Sequence, residues 1–227
     1  MKITIDKTKS IHSQVYEVIK EAIISLEFLP GQRLSEKELS ALLEVSRTPI
    51  REAFIRLSEK GLLEIYPQRG TFVSYIDIDK VKESLFVRES LECAALHQSI
   101  IRLNEDDIDA LQALIAKQKE FRDEKMRETF YHFDERYHER LIEISGYQNV
   151  WSVIQAEKLH LDRVRYLSLL ATRKTSKLIE EHEEILNAVI AKDVELAHYK
   201  LSKHIKESTV EIIELYKEKY SELFSKS

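Results

Sequence analysis

The stretch Ser46-Arg47-Thr48-Pro49-Ile50-Arg51 joins a serine suited to cap a helix, a proline close behind it and two arginines four residues apart, with no acid among them. Serine at an N-cap accepts a bond from a backbone N–H that lacks a helical partner, and proline is tolerated in the first turn for the same reason. A helix is therefore predicted to start at Ser46. Arg47 and Arg51 would project from one face of its first turns, at an end that already carries positive dipole. Such an end seeks phosphates, and two forked guanidinium donors suit guanine edges. The same six residues also suit an ordinary amphipathic helix whose arginines pair with Glu44 or Glu52, so the flanking sequence has to decide.

Upstream, Ile11, Val15, Val18, Ile19, Ala22, Ile23 and Leu26 recur at helical spacing and stop before Leu29-Pro30-Gly31, a helix followed by a turn. Ser35, followed three residues later by Glu38, predicts a capping box opening a second helix through Leu39, Leu42 and Leu43. Glu44-Val45 links it directly to the Ser46 helix, which carries Ile50, Phe54 and Leu57 inward and stops at Gly61. Two short helices joined so tightly, the second basic at its start, form a helix-turn-helix pattern. After Gly61, Leu62-Leu63-Glu64-Ile65-Tyr66 and Thr71-Phe72-Val73-Ser74-Tyr75 flank Pro67-Gln68-Arg69-Gly70 and predict a β-hairpin. A lone two-stranded hairpin is marginal and must pack on the helices beside it. Arg69 at its tip would then sit next to the Ser46 helix, within reach of a phosphate or a minor groove. Three helices and a two-stranded wing favour nucleic-acid binding over the ion-paired helix.

Composition divides the chain of 227 residues. All three prolines and three of the four glycines fall in the first seventy residues, while the stretch from Ile76 onward holds only Gly146. A long all-helical domain fits that stretch better than a sheet, which needs turn residues. The expected domains are residues 1–76 and 77–227, and the expected fold is mainly α: a winged helix-turn-helix, then a bundle of six or more helices. Residues 1–75 carry eleven Lys and Arg against ten Asp and Glu, so the overall charge of −5 leaves −6 on the remainder. A local basic face can work against that balance. The single cysteine, Cys93, excludes an intrachain disulfide framework and points to a reducing compartment. With no apolar run of membrane-spanning length and no leader-like apolar start, a soluble cytoplasmic protein is expected.

In the helical remainder, periodicity predicts helices over 77–103, from Asn104-Glu105-Asp106-Asp107 onward, 129–145 closed by Gly146, 149–170, 176–191 and 194–224. Seven of the eight histidines lie here. His97, His132, His160 and His198 read as surface or satisfied polar residues. Asp134 and His138 differ: they stand i and i+4 on one face with Phe130, Tyr137 and Leu141, so a carboxylate and an imidazole point into an apolar seam, where a buried charge needs a partner. His182 lies among Leu178, Ile185 and Val189, and His204 among Ala197 and Leu201. Both stand eleven residues from a turn near Asp193, which puts the two imidazoles at one height in an antiparallel hairpin. Three imidazoles and one carboxylate suit a divalent cation such as zinc, nickel or manganese.

Leu29 to Leu39, Val45-Ser46-Arg47-Thr48-Pro49-Ile50-Arg51-Glu52-Ala53, Gly61-Leu62-Leu63 and Gln68-Arg69-Gly70-Thr71-Phe72-Val73 resemble, in register, the winged-helix domain of the GntR family of bacterial transcription regulators. The resemblance implies that Lys37, Arg47, Thr48, Arg51, Arg69 and Gly70 meet DNA. Phe133-Asp134-Glu135-Arg136-Tyr137-His138, Glu181-His182 and His204 resemble the effector-binding FCD domain of the FadR subfamily. That likeness implies metal ligation by Asp134, His138, His182 and His204, with small organic acids as effectors. Arg88 matches an arginine near the family's cavity, where it would meet an effector carboxylate or simply pair with Glu92. Arg165, with Arg163 as its alternative, is a second effector-binding candidate.

Together these features predict a ligand-responsive transcription regulator, not an enzyme. It would bind an inverted-repeat operator in double-stranded DNA as a homodimer, sense a small organic acid at the metal, and pass that signal through residues 75–79. Two rivals remain at this level: a metalloenzyme activating water at an open coordination position, and a DNA-binding protein whose metal is purely structural.

Overall fold

A computed structural model describes residues 5–6, 8–123, 126–171 and 175–225. Two compact units emerge, Met1–Ile78 with Tyr216–Ser227, and Asp79–Leu215. The C-terminal segment clusters with the first unit. There the Ile76 N–H donates to the Leu223 carbonyl at 2.9 Å and the Ser225 N–H to the Ile76 carbonyl at 3.0 Å. Ile76 and Phe224, paired in a short parallel bridge, are both buried.

The first unit runs α1 (Ile11–Ile24), β1 (Arg33–Leu34), α2 (Glu36–Leu42), α3 (Arg47–Glu59), β2 (Leu63–Tyr66) and β3 (Gly70–Val73). Its core is the apolar stripe of α1, Val15, Ile19, Ala22 and Ile23, against Ile50, Ala53, Phe54 and Leu57 of α3. Ser35 caps α2 by accepting from the Glu38 N–H at 3.4 Å, which is half of the expected capping box. Ser46 stands at the N-cap of α3 in extended conformation, yet its side chain makes no capping bond. The position follows the prediction and the hydrogen bond does not.

The sheet has three strands in the order β1-β3-β2, one more than the expected hairpin. Leu63 pairs with Val73 and Tyr66 with Gly70, while Arg33 and Leu34 pair with Phe72 and Thr71. The extra strand ties the segment before α2 to the wing. Gly70 has φ +115°, which favours glycine; a Cβ there would also lie 2.8 Å from Arg33 Nε and displace that side chain.

The second unit is all helical: α4 (Ile78–Arg102), α5 (Glu105–Glu120), α6 (Arg127–Ser145), α7 (Val150–Glu157), α8 (Leu159–Ala171), α9 (Thr175–Ile190) and α10 (Val194–Lys219). The single helix expected over 149–170 is broken at Lys158, whose ammonium is buried among carboxylates. α5 opens on a full capping box: Asn104 Oδ1 accepts from the Asp107 N–H at 2.9 Å and Asp107 Oδ2 from the Asn104 N–H at 3.3 Å. α6 ends at Gly146, φ +81°, a left-handed C-cap. The α9–α10 turn places Lys192 at φ +55° and caps α10 with Asp193, as the eleven-residue symmetry requires. Leu111, Ile115, Phe130, Tyr137, Leu141, Ile185, Val189, Ala197 and Leu201 form the main core. Among the described residues no helix is long and apolar enough to cross a membrane.

Loss of a reciprocal cap costs about 0.5–2 kcal/mol. Asn104→Ala is therefore expected to lower the thermal midpoint of the helical unit by a few degrees without changing its helix content, read by circular dichroism. An unchanged midpoint would show that the start of α5 is held by packing alone.

Candidate metal centre and nucleic-acid interface

Asp134, His138, His182 and His204 converge: each offers one ligand atom, these atoms lie within 4.8 Å of one another, and all four residues are buried. Asp134 and His138 come from one face of α6, His182 from α9 and His204 from α10. The His182 and His204 Nε2 atoms are 3.1 Å apart, and Asp134 Oδ1 is 3.7 Å from His182 Nε2. The equal heights inferred from the turn are thus observed.

The other nitrogen of each ring fixes its tautomer. His138 Nδ1 is 2.7 Å from Glu92 Oε2, and His204 Nδ1 is 2.7 Å from Glu181 Oε2. A carboxylate only accepts, so both Nδ1 atoms carry hydrogen. His182 Nδ1 is 2.8 Å from Gln118 Oε1, and the Gln118 amide cannot be turned over, because its Nε2 donates to the Phe133 carbonyl at 3.2 Å. In the neutral form of each ring Nε2 is then a lone pair, and the three Nε2 atoms converge on one point. Two such lone pairs 3.1 Å apart repel unless a cation lies between them, and His138 Nε2 is buried with no hydrogen-bond partner. Nδ1–H held by an oxygen, with Nε2 presented, is the outer-shell pattern of histidine metal ligands.

Protonation agrees. Burial lowers the His138 imidazole from its usual range, with only partial compensation from the Glu92 charge. Burial, reinforced by His204 and His138, takes His182 well below it. Both rings stay neutral, as ligation requires. Burial alone would raise Glu92, but Arg88 and His138 overcome it and hold the carboxyl at about 2.

Arg88 donates through Nε to Glu92 Oε1 at 2.5 Å, so the predicted ion pair exists. Its Nη2 is buried without a hydrogen-bond partner. Arg165, on α8, bonds Asp134 Oδ2 and Glu135 Oε1, so its guanidinium is spent on carboxylates and orients the ligand Asp134. Arg163 is also fully buried on α8. Beyond Arg165 the network continues: Lys158 bonds Glu135 and Asp162, and the Tyr131 hydroxyl donates to Asp162 at 2.7 Å. Sequence reasoning passed over Gln118 and this network. A polar residue in the apolar register of Leu111 and Ile115 was the available sign of Gln118. A cleft of about 290 Å³ between α9 and α10 brings solvent to His204 past Glu181, Lys177 and Lys200.

In the first unit Lys37 on α2, Arg47, Thr48 and Arg51 on α3, and Arg69 beside Gly70 are all exposed, apart from the half-buried glycine. Arg51 pairs with Glu36, not with Glu44 or Glu52; Glu52 meets His12 at 2.6 Å. Arg69 lies over the Tyr66 ring, 5.5 Å from its centroid.

Comparison with known proteins matches residues 11–73 to the model of bacterial regulatory proteins of the gntR family and residues 83–207 to the FCD domain. The chain is 31% identical over 214 residues to the HTH-type transcriptional repressor RspR of Escherichia coli K12, covering 94% of each. It is 35% identical over 192 residues to an HTH-type transcriptional regulator of Streptomyces ambofaciens, covering 85% of this chain and 80% of that one. Among solved structures, Escherichia coli McbR/YncC superposes with a TM-score of 0.79 at 23% identity, over 92% of this chain and 99% of that one, a likeness of fold.

If Asp134 depends on Arg165 for its orientation, Arg165→Met is expected to weaken divalent-metal affinity by about ten- to a hundredfold, as for other outer-shell partners. His138→Ala is expected to abolish stoichiometric binding. Competition with a chromophoric chelator measures both, and wild-type affinity in Arg165→Met would refute the dependence.

Proposed function

The chain belongs to the gntR family of bacterial regulatory proteins and carries an FCD domain, and from that premise we propose that it binds an inverted-repeat operator as a homodimer whose DNA affinity changes when a small organic acid reaches the metal centre. Its relatives are transcription regulators, so the metalloenzyme reading falls. What remains open is the ligand chemistry, and one observation carries it. Beside three converging Nε2 lone pairs and the Asp134 carboxylate, a buried guanidinium, Arg88, has an unspent donor at Nη2. A divalent cation and an unspent arginine N–H are complementary to one carboxylate, with one oxygen for each.

In this reading Asp134, His138, His182 and His204 hold zinc, nickel or manganese, the metal supplies a Lewis-acid position for an anion, and Arg88 fixes that anion's orientation. Arg165 acts through Asp134. A structural metal with no effector would leave the Arg88 donor without a use. For the response to reach DNA, the acid has to bind two states of the protein unequally.

The winged helix would set α3 in a major groove, with Arg47, Thr48 and Arg51 toward base edges or flanking phosphates, Lys37 on the backbone, and Arg69 and Gly70 of the wing alongside. Twofold symmetry of the protein would be mirrored in the operator. Support for a dimer comes from α4. Phe86, Ser90, Ala94, His97 and Ile101 recur at helical spacing on its exposed face, with Phe86 70% and Ile101 61% exposed. Large apolar ends flanking small residues make a surface that a second copy of the same helix could cover.

A thermal-shift screen of mono-, di- and tricarboxylic acids on metal-loaded protein tests the effector, because a ligand that binds only the native state raises its melting temperature. At least one acid is expected to raise the midpoint. Arg88→Lys, which keeps a positive charge for Glu92 but loses the planar fork, is expected to bind metal normally and to lose about tenfold or more in acid affinity. Equal acid affinity in that variant would remove Arg88 from the site.

Light scattering is expected to give about twice 26.7 kDa for the wild type. Phe86→Glu is expected to move it toward the monomer. A Phe86→Glu protein that remains fully dimeric would place the interface elsewhere.

A further inference from the structure

Arg51 and Glu36 form a two-pronged pair across the turn between α2 and α3. Glu36 Oε1 accepts from Arg51 Nε and Oε2 from Nη2, both at 3.0 Å. We infer that Glu36 is a specificity-determining positioning residue, which fixes the plane of the Arg51 guanidinium so that only its terminal edge is offered to DNA. The inference rests on the proposed placement of α3 in a major groove.

A guanidinium carries five N–H groups and two edges able to make paired bonds. Glu36 occupies the edge formed by Nε and Nη2. The edge formed by Nη1 and the outer hydrogen of Nη2 keeps two parallel N–H groups, the spacing that O6 and N7 of guanine accept. The arginine remains available, 66% exposed on its side chain, while Glu36 is 30% exposed. Glu36 is the first residue of α2 and Arg51 lies early in α3, and the buried Leu39, Leu43 and Ile50 hold those helices together.

Such an exposed pair adds little to stability. Its effect is on recognition, in two ways. It removes rotamer freedom that Arg51 would otherwise lose on meeting a base. It also sets a carboxylate beside the arginine, which opposes indiscriminate attachment to phosphate, the sequence-independent part of DNA binding. Removal of Glu36 therefore moves two quantities in opposite directions: base discrimination falls and binding to arbitrary DNA rises. A merely structural residue would lower both.

The test needs no prior operator. Wild type, Glu36→Ala, Glu36→Gln and Arg51→Ala are each equilibrated with a pool of DNA duplexes carrying a randomised core, and the bound fraction is sequenced. Circular dichroism melts establish that each variant is folded. Arg51→Ala is expected to flatten the preference at one position of each half-site by about tenfold. Glu36→Ala is expected to flatten that same position by about three- to tenfold, and Glu36→Gln by less, while both bind the unselected pool more tightly than wild type. Full wild-type preference at that position in Glu36→Ala overturns the inference, as does an equal loss at every position. If Arg51→Ala leaves all positions unchanged, Arg51 reads no base, and both the placement of that arginine and the role of Glu36 fall.

Discussion

Three imidazole lone pairs and a carboxylate oxygen within 4.8 Å, buried in a helical core, form an arrangement that packing alone does not favour. Each polar atom removed from water needs a partner, and lone pairs that face one another provide none. The second unit is built around meeting that need. Glu92 of α4, Gln118 of α5 and Glu181 of α9 hold the three Nδ1–H groups, and Arg165 of α8 holds the far oxygen of Asp134. α4 and α5 thus supply one outer oxygen each, α8 one guanidinium, α10 one imidazole, α9 both an outer oxygen and an imidazole, and α6 the Asp134 and His138 side chains. The apolar core of the unit follows from the same faces, since Tyr137, between Asp134 and His138, stacks on the His182 ring at 4.3 Å and donates to the His182 carbonyl at 3.0 Å.

The winged-helix unit follows a different logic. Its functional groups are exposed and its core is a simple interlock of α1 and α3, so little buried polarity has to be satisfied. Affinity for DNA asks for charges that can reach outward, while sensing of a small anion asks for charges shielded from water. The chain keeps outward-reaching charges and buried ones in separate compact units.

Much of this was legible from residue spacing. The i, i+4 relation of Asp134 and His138 and the equal distance of His182 and His204 from Asp193 are geometric statements that a helix enforces whatever its surroundings. The helices before the wing were equally plain, because apolar periodicity reports a face directly. Three features were not legible, each for its own reason. β1 has two residues, too few to show a period. The Lys158 break in the helical pattern depends on Glu135 and Asp162, and Glu135 lies on another helix. Arg165 meets Asp134 across thirty-one residues, a pairing that no local pattern encodes. Ser46 shows a finer limit: sequence places a helix start, whereas the cap's hydrogen bond depends on a rotamer.

Charge around the centre bears on which ligand it suits. Asp134, Glu135 and Asp162 are three carboxylates against two cations, Lys158 and Arg165, all buried apart from the partly buried Arg165. Arg88 and Glu92 cancel one another, and burial keeps His138 and His182 neutral. Those groups lie beside the fully buried Arg163 guanidinium of α8, in an interior where uncompensated charge is costly. A divalent ion held by Asp134, His138, His182 and His204 would relieve the facing histidine lone pairs.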